Sequence, residues 1–295
     1  MSFELDPKVR VNVPEFLNEI IAGDVESFEI AKNRLCNEIF RYYGDKKLKL
    51  DSDISLDNYK VLQFTLNQDN LDYFAAICDS IKIDNKAEYF RKLLYVYCNQ
   101  PRFMREQVIY FSSCILIKEA IHFKQKLKIR YKDEYRIIEP YALIKSDGET
   151  RNYILCYCTK RQEYAIYRLA HIKAVSILRD QPYEYYDEEY VTGLRNNFDA
   201  FLSYGKHIKV RLSQSGIKMY QKNITHRPKL IEQENDVYTF ECSALKAQLY
   251  FPQFMNNAEI LEPIELRTWF KDKYTEVAGL YKWANGSKSN WIERA

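Results

Sequence analysis

The sequence predicts an α+β protein built from several small domains, and three patterns support that prediction. A strand-helix-helix order occurs twice in the first third of the 295 residues. Five apolar strand patterns separated by short polar turns fill the middle third, and mixed strands and helices follow it. A chain of this length exceeds one compact core, and 46% hydrophobic residues are enough to fill two or three.

The second copy of the repeat shows the pattern most clearly. Residues 61–66 alternate apolar and polar side chains with period two, as a half-buried strand does. Asn67 then precedes a helix with apolar positions at three-four spacing. Asn85, with Glu88 three residues later, forms a capping-box-like start for another helix. The order is therefore strand, helix, turn, helix.

The first copy has the same order. Residues 8–14 alternate like a strand, and Pro14 is tolerated where a helix begins. Gly23-Asp24 is expected to interrupt that helix before a second one follows. A lone strand leaves unpaired backbone groups along both edges. We therefore expect strand 9–13 to pair antiparallel with strand 61–66.

This arrangement resembles the ribbon-helix-helix family, whose two strands pair and enter the DNA major groove as a ribbon. Both halves lie on one chain here, so the resemblance implies an intramolecular pseudo-dimer. Its outward side chains would be those of Arg10, Asn12, Gln63 and Thr65. Arg, Asn and Gln form bidentate contacts with base edges. The alternative is that these residues are the solvated face of a packing module.

The middle third predicts a small antiparallel barrel. A helix over residues 112–124 leads into it. The strand patterns lie at residues 127–131, 135–144, 151–158, 163–169 and 172–178. Several short strands at regular spacing, with turn residues between them, are typical of such a barrel.

Residues 120–172 resemble the WYL domain, a small Sm/SH3-like barrel of bacterial regulators. The matching elements are Ile129-x-Tyr131, Arg136 to Glu139-Pro140, Asn152-Tyr153-Ile154 and Tyr167-Arg168-Leu169, with Asn152 at the position of the family's Trp. In that family a basic and aromatic face of the barrel binds nucleic acid or a nucleotide-like ligand. The resemblance implies that the contacting residues are Tyr131, Arg136, Asn152, Tyr153, Arg168 and His171.

Three of these residues have a structural alternative. Tyr153 suits core packing as well as it suits binding. Arg168 lies between apolar neighbours, where a cation usually has a dedicated anionic partner. His171 is compatible with a neutral ring in a turn.

The last third predicts a small α+β domain. Acidic, tyrosine-rich residues 181–189 are interpreted as a linker or docking strip. The expected elements are a strand at 207–212, a helix at 213–224, a hairpin at 229–243, a strand at 258–263 and a helix at 264–283. This part resembles the extension that commonly follows WYL domains, which implies a homodimer. Either a core or an interface would use Trp269, Phe270, Tyr274 and Leu280.

The predicted domains are therefore a tandem ribbon-helix-helix module at 1–105, the barrel with its preceding helix at 106–182, and the extension at 183–284. A disordered tail is expected at 285–295.

Composition does not single out one ligand class. The net charge is only +3, while 25 Tyr and 16 Phe accompany 44 Lys and Arg. Aromatic faces beside cations suit base stacking and phosphate contacts, and they also suit ordinary cores. The seven cysteines are expected as buried thiols in a reducing cytoplasm. No apolar run reaches membrane-spanning length, so no membrane partner is expected.

Familiar catalytic motifs do not occur in the sequence. A Gly-rich phosphate loop, G-x-S-x-G and H-E-x-x-H are all missing. Cys156 and Cys158 lack the second pair that a zinc site needs. Asp187-Glu188-Glu189 is an acidic run compatible with Mg²⁺, although a solvated charge run is favoured. We expect a non-enzymatic protein without metal or cofactor.

The family resemblance implies two functions. Some WYL proteins accompany a type VI-D CRISPR RNA-guided RNA nuclease, bind single-stranded RNA and raise the nuclease's activity; the domain order here resembles that group most. Others are ligand-responsive transcriptional repressors that grip operator DNA. The expected partners are single-stranded RNA or DNA, the nuclease and a second copy of the chain. A protein-interaction scaffold is a third hypothesis.

Overall fold

A computed structural model describes residues 6–46, 48, 58–81, 83, 85–145 and 151–281. The chain divides into two compact units, residues 1–195 and 196–295, and each has its own hydrophobic core. The architecture is mixed α and β with several antiparallel sheets. The tail predicted at 285–295 lies outside the described residues. Within the described ranges, every helix is too short or too polar to span a bilayer.

The first unit begins with the repeated strand-helix-helix order. Its elements are β1 (Lys8–Pro14), α1 (Glu15–Ser27), α2 (Lys32–Tyr43), β2 (Tyr59–Thr65), α3 (Gln68–Ile81) and α4 (Lys86–Cys98). Two helices, α5 (Arg102–Ile109) and α6 (Phe111–His122), follow. The remaining elements are β3 (Gln125–Tyr131), β4 (Glu134–Lys145), β5 (Asn152–Cys158), β6 (Glu163–Arg168), a 3-10 turn (Leu169–His171), β7 (Ile172–Pro182) and α7 (Glu188–Asn196). The sequence patterns did not predict α5 or α7.

Strands β1 and β2 form the antiparallel ribbon that the repeat predicts. Val11 lies opposite Leu62, and Val9 opposite Phe64. These four side chains are buried, so the alternating apolar positions of both strands face the same core. The predicted strand pairing is confirmed, because each strand supplies the partner that the other lacks.

Side chains of the second helix in each copy cover the outer edges of the ribbon. At the β1 edge, Arg91 Nε of α4 donates to the carbonyl of Asn12 at 2.8 Å. At the β2 edge, Asn37 Nδ2 of α2 donates to the carbonyl of Thr65 at 2.9 Å. Asn37 Oδ1 also accepts from the Asn67 amide at 2.9 Å. Each copy therefore satisfies strand groups of the other, which reduces the tendency of open edges to pair with foreign strands.

The helix starts predicted at Asn67 and Asn85 are confirmed. The Asn67 side chain accepts from the amide of Asn70 at 2.9 Å, and the Asn85 side chain accepts from that of Glu88 at 3.1 Å. The interruption predicted at Gly23-Asp24 is wrong, because α1 continues through both residues to Ser27. Asp24 is buried at 2% exposure and serves as an ion-pair residue rather than a helix breaker.

Strands β3–β7 form one antiparallel sheet in the order β6-β5-β4-β3-β7. Its two edge strands, β6 and β7, are consecutive and joined only by the turn at Leu169–His171. Four Cα–Cα steps span at most about 14 Å. Four strand spacings of a flat sheet would need about 19 Å. The sheet must therefore curl until its edges approach each other.

The acidic, tyrosine-rich segment after β7 docks on this sheet. Glu139 of β4 is fully buried and accepts from the backbone amides of Glu184 and Tyr185 at 2.8 and 3.1 Å. The Tyr185 ring stacks on that of Tyr157, with centroids 4.5 Å apart. The segment therefore acts as a docking strip on the sheet rather than as a free linker. Its backbone amides also stabilise the buried Glu139 carboxylate.

The second unit is a four-stranded antiparallel sheet with helices. Its elements are β8 (His207–Leu212), α8 (Gln214–Lys222), β9 (Lys229–Glu234), β10 (Val237–Glu241), α9 (Ala244–Tyr250), a 3-10 segment (Phe251–Asn257), β11 (Ala258–Glu262) and α10 (Ile264–Leu280). The strand order is β11-β8-β10-β9, so the predicted hairpin of β9 and β10 is present. Phe270 is buried and Leu280 is 61% exposed. Gly216 is required because a Cβ there would lie 2.2 Å from the carbonyl oxygen of Asn257.

A buried charge network ties α5 to the strand-helix-helix repeat. Arg105 Nε and Nη2 donate to the two carboxylate oxygens of Asp24 at 2.7 and 3.0 Å. The Tyr97 hydroxyl donates to the same carboxylate at 2.8 Å. Burial raises the pKa of Tyr97, and the negative charge of Asp24 raises it further. The tyrosine is therefore the proton donor in this network.

Replacing Arg105 with Gln should destabilise the first unit by about 3–5 kcal/mol, because it leaves the Asp24 carboxylate buried without its cation. Urea unfolding followed by far-UV circular dichroism measures this loss. Trp269 packs against the core of the second unit, and the other two tryptophans also follow residue 196, so tryptophan fluorescence serves as an internal reference from outside the first unit.

The matched control is Arg179→Gln, which removes an exposed ion pair with Glu119 at 3.0 Å. That pair should contribute less than about 1 kcal/mol. Equal unfolding midpoints for the Arg105 and Arg179 variants would contradict the structural role of the Asp24 network.

Candidate functional site

The outward side of the ribbon carries all four residues predicted there. We call this surface the ribbon face, and it consists of Lys8, Arg10, Asn12, Val61, Gln63 and Thr65. Arg10 lies directly opposite Gln63, and Lys8 opposite Thr65. These four side chains are exposed, whereas Asn12 is half-buried. The face therefore presents two cations, Lys8 and Arg10, beside an amide and a hydroxyl group. It also includes Val61, which is 44% exposed.

A second candidate surface lies where the curled sheet closes. We call it the arginine–tyrosine cluster, and it consists of Tyr131, Arg136, Tyr167, Arg168 and His171. Tyr131 ends β3, and its ring lies 4.7 Å from that of Tyr167 on β6. The Tyr131 hydroxyl is 3.4 Å from His171 Nδ1, and Arg168 Nη1 is 3.5 Å from His171 Nε2. The turn at Leu169–His171 thus brings three of the predicted residues together, Tyr131, Arg168 and His171.

Arg136 completes the cluster from β4. Its guanidinium lies 6.0 Å from the ring of Tyr131 and 5.5 Å from that of Tyr167. Arg136 Nη1 donates to the Tyr167 hydroxyl at 3.3 Å, and Nη2 pairs with the exposed Glu134 at 3.0 Å. Tyr167 is buried at 3% exposure, so the partly exposed Tyr131 and Arg136 are the groups of this set that suit stacking and phosphate contact.

Arg168 has hydrogen-bond donors to spare. Its Nε is buried and has no partner among the described residues, as is also true of the Nε of Arg136. In the described part of the chain, no carboxylate forms an ion pair with Arg168 within 4.0 Å. Its positive charge instead acts at longer range on the buried Glu106 carboxylate, where it opposes the rise in pKa that burial causes. A half-buried guanidinium in this state is suited to an anionic ligand.

The charge of His171 is set by its surroundings. Burial lowers the pKa of His171, and the positive charges of Arg168 and Lys132 lower it further. Glu29, from the turn after α1, acts in the opposite direction, and Arg151 lowers the pKa slightly. The neutral ring is the favoured form at pH 7. An anion bound at Arg168 would offset these positive charges and favour protonation.

Asn152 and Tyr153, also predicted as ligand contacts, are buried. The Asn152 side chain donates to the Phe103 carbonyl and to a carboxylate oxygen of Glu106, both at 2.7 Å. It accepts from Gln107 Nε2 at 2.8 Å. These partners all belong to α5, so we assign Asn152 to the anchoring of that helix. Tyr153 is 8% exposed and lies opposite Arg168 in the sheet.

Several residues around the cluster were not among the predicted contacts. Lys132 and Arg151 are exposed cations near His171, and Glu29 approaches it from the strand-helix-helix repeat. Glu29 is distant in sequence and no local pattern marks it. Tyr167 lies within the matched motif, and its position between Tyr131 and Arg136 is a property of the folded sheet.

The acidic run at residues 187–189 has a structural role at its first position. Asp187 Oδ1 accepts from the amide of Tyr190 at 3.0 Å at the start of α7. The described residues contain no group of three His, Cys, Asp or Glu placed to hold a metal ion. Cys156 and Cys158 are both fully buried, and burial raises the pKa of Cys156 well above its ordinary value.

Comparisons with known proteins identify the middle of the chain. Residues 114–177 match the family described as the WYL domain, so the chain contains a WYL domain. A solved structure described as a CRISPR Cas-related protein has a similar fold, with a TM-score of 0.68 and 15% identity over 95% of each chain. Proteasome accessory factor B/C (PafBC) of Arthrobacter aurescens aligns at 15% identity and a TM-score of 0.29, over 96% of this chain and 51% of that one. No curated protein matches the sequence.

Replacing Arg168 with Gln should raise the pKa of His171, because it removes the nearest positive charge that opposes ring protonation. NMR titration of the four histidines measures this shift, with the His171 signal assigned from a His171→Gln variant. Since folding depresses the pKa, the contribution to stability is present above the unfolded value of about 6.5 and is lost as the pH falls below it.

Glu29→Gln should move the same pKa in the opposite direction, and Arg179→Gln should leave it unchanged. A His171 pKa that does not respond to Arg168→Gln would rule out the electrostatic coupling within the cluster.

Proposed function

We propose that this WYL-domain protein is a non-enzymatic regulator that binds single-stranded RNA through the arginine–tyrosine cluster. The observation that supports it best is Arg168, a half-buried guanidinium that forms no ion pair within 4.0 Å among the described residues. Tyrosine rings beside cations provide stacking and phosphate contacts that tolerate any base sequence. The partner of this binding is then a flexible strand rather than a rigid duplex.

The proposal extends to an accessory role for a type VI-D CRISPR RNA-guided RNA nuclease, whose activity the protein would increase. Support comes from the fold that the chain shares over 95% of its length with a CRISPR Cas-related protein. The repeated strand-helix-helix order with its ribbon is compatible with a tandem ribbon-helix-helix module. The curled sheet is compatible with an Sm-like barrel. We further propose a cytoplasmic homodimer in which the second unit supplies the interface.

A second candidate is a ligand-responsive transcriptional repressor that reads DNA through the ribbon face. Arg10 and Gln63, opposite each other and exposed, favour it, because both side chains can make bidentate contacts with base edges. On this hypothesis, Arg10→Ala would lose about 1–3 kcal/mol of sequence discrimination on duplex DNA.

Fluorescence anisotropy with single-stranded RNA, single-stranded DNA and duplex DNA, each at two salt concentrations, distinguishes the two candidates. We expect tightest binding to single-stranded RNA, with affinity falling as salt rises because phosphate contacts release counterions. Tyr131→Ala should weaken that binding by about 1–3 kcal/mol, the scale of one lost stacking contact. Arg168→Gln should weaken it and reduce its dependence on salt.

Two controls make the result specific. Arg179→Gln removes an equal charge from an exposed site and should bind RNA like the native chain. Arg10→Ala should also leave single-strand affinity unchanged. Duplex preference that depends on Arg10 would instead favour the repressor, and salt-insensitive or absent binding would favour a scaffold. The nuclease role is measured separately, as RNA cleavage by a type VI-D nuclease with and without this protein.

A further inference from the structure

A polar cavity between α2 and α3 lies outside the arginine–tyrosine cluster. Its volume is about 290 Å³, near the lower end of the roughly 300–1,000 Å³ of small-molecule sites. Helix α2 lines it with Asn37, Glu38 and Arg41, and helix α3 with Asp69, Asn70 and Tyr73. Residues three and four apart share one helix face, so both helices turn polar groups toward the cavity.

The carboxamides at the base of the cavity are fixed by their own hydrogen bonds. Both amide hydrogens of Asn37 are used, on the carbonyls of Asn33 and Thr65 at 2.7 and 2.9 Å. Asn70 Nδ2 donates to the backbone and side-chain oxygens of Asn37 at 3.0 and 2.8 Å. Asn70 is only 4% exposed, and these two bonds use its amide nitrogen, so Oδ1 is the remaining hydrogen-bonding atom of that side chain.

The charged groups of the cavity are not neutralised by close pairing. Glu38 is half-buried, and within the described ranges its carboxylate forms no ion pair within 4.0 Å. Burial raises the pKa of Glu38, and the nearby guanidinium groups of Arg41 and Arg34 only partly compensate. Partial burial of a carboxylate without a close cation costs free energy. A ligand with two adjacent donors would remove that cost.

The wall of the cavity is aromatic. The Tyr73 ring lies 5.5 Å from that of Phe40 in the core. Burial raises the pKa of Tyr73, and the negative charge of the nearby Asp45 raises it further. Among the described residues that line the cavity, Tyr73 supplies the aromatic surface, and the others supply mostly acceptors and one cation, Arg41. That combination favours a flat, neutral ligand rich in donors over an anion.

We propose that this cavity is a binding site for a guanine base. Guanine presents two adjacent donors, N1–H and N2–H₂, which match a carboxylate such as that of Glu38. It also presents two adjacent acceptors, O6 and N7, which an arginine such as Arg41 contacts in bidentate fashion. Adenine and cytosine have one amino group and uracil one ring N–H, so none of them satisfies both groups. The Tyr73 ring supplies the apolar contact for the base.

The site adjoins the end of the ribbon. Asn67, which also lines the cavity, lies two residues after Thr65, and Asn37 holds the Thr65 carbonyl. A guanine from a free nucleotide and one from a single-stranded RNA have the same recognition chemistry. Binding of a mononucleotide to this cavity can be measured without RNA, so it does not require the arginine–tyrosine cluster.

Isothermal titration calorimetry of the full chain with GMP, IMP, AMP, CMP and UMP tests the proposal. GMP should bind at one site per chain. IMP, which lacks only the 2-amino group, should bind about tenfold more weakly, as expected for one lost hydrogen bond to a charged group. Glu38→Gln should lose at least about tenfold in GMP affinity for the same reason. The GMP–IMP comparison uses the native protein and so does not depend on how a variant folds.

Asp72→Asn is the matched control, because Asp72 lies on α3 beside Gln68 and outside the cavity. It should bind GMP like the native chain. Arg168→Gln should also retain GMP binding, which separates this site from the proposed RNA site. Anisotropy with an oligouridine RNA carrying one internal guanosine identifies the source: tighter binding than to the all-uridine strand assigns RNA, and equal binding assigns the free nucleotide.

The proposal is overturned if GMP gives no heat of binding or if GMP and IMP bind equally. It is also overturned if Glu38→Gln leaves the GMP affinity unchanged.

Discussion

Helix α5 is the constraint on which the first unit depends, because two adjacent charged residues fix it in two directions. Arg105 binds Asp24 of α1, while Glu106 accepts from the backbone amide and the side chain of Asn152 on β5. Neighbouring residues of a helix point about 100° apart, so one short helix can contact both partners. The strand-helix-helix repeat and the curled sheet consequently share one continuous hydrophobic core. Buried charge pairs alone contribute little to stability. Here they fix the orientation of α5 between the strand-helix-helix repeat and the curled sheet.

Burial and the number of hydrogen-bond partners distinguish the polar groups that define the fold from those that are candidates for ligand binding. Asp24, Glu139 and Asn152 are deeply buried, and each has several hydrogen-bond partners that define the fold. Arg168 and Glu38 are only half-buried, and among the described residues neither forms an ion pair within 4.0 Å. Opposite charges act on them at longer range, Glu106 on Arg168 and Arg41 with Arg34 on Glu38. A buried polar group without partners costs free energy, and a fold retains such groups mainly where a ligand completes them. This contrast separates binding surfaces from the scaffold.

The two copies of the repeat together form two surfaces, the ribbon and the cavity between α2 and α3. Their strands combine into a ribbon whose inner side is apolar and whose outer side is polar, with the edges covered by side chains of α2 and α4. Their helices leave the polar cavity between α2 and α3, which joins one helix from each copy. A repeat on one chain can diverge at each position separately, whereas identical copies in a homodimer would have two equivalent cavities. Because both copies lie on one chain, their sequences can differ, and a single cavity can form instead of two equivalent ones.

The sequence by itself determined the local elements and the identity of the middle domain. Alternation with period two marked β1 and β2, because one face of each strand must be apolar, and short polar turns between apolar runs marked the sheet strands. Asn67 and Asn85 marked helix starts, since their side chains bond the first free amides. The spacing of the motif from Tyr131 to His171 was enough to indicate the WYL domain, and Arg136 and Arg168 were among its candidate residues. These features depend on neighbours in the chain or on family-specific spacing.

Only the tertiary structure decided which of those residues are available to a ligand. Asn152 and Arg168 appear equally polar in the sequence, yet α5 uses the first completely and leaves the second with a donor to spare. Asp24 appeared to break a helix, because its partner Arg105 lies 81 residues away. Glu29 near His171, and the cavity between α2 and α3, likewise arise from contacts between distant segments. Burial and partner satisfaction are properties of the packed chain, so no local pattern could reveal them.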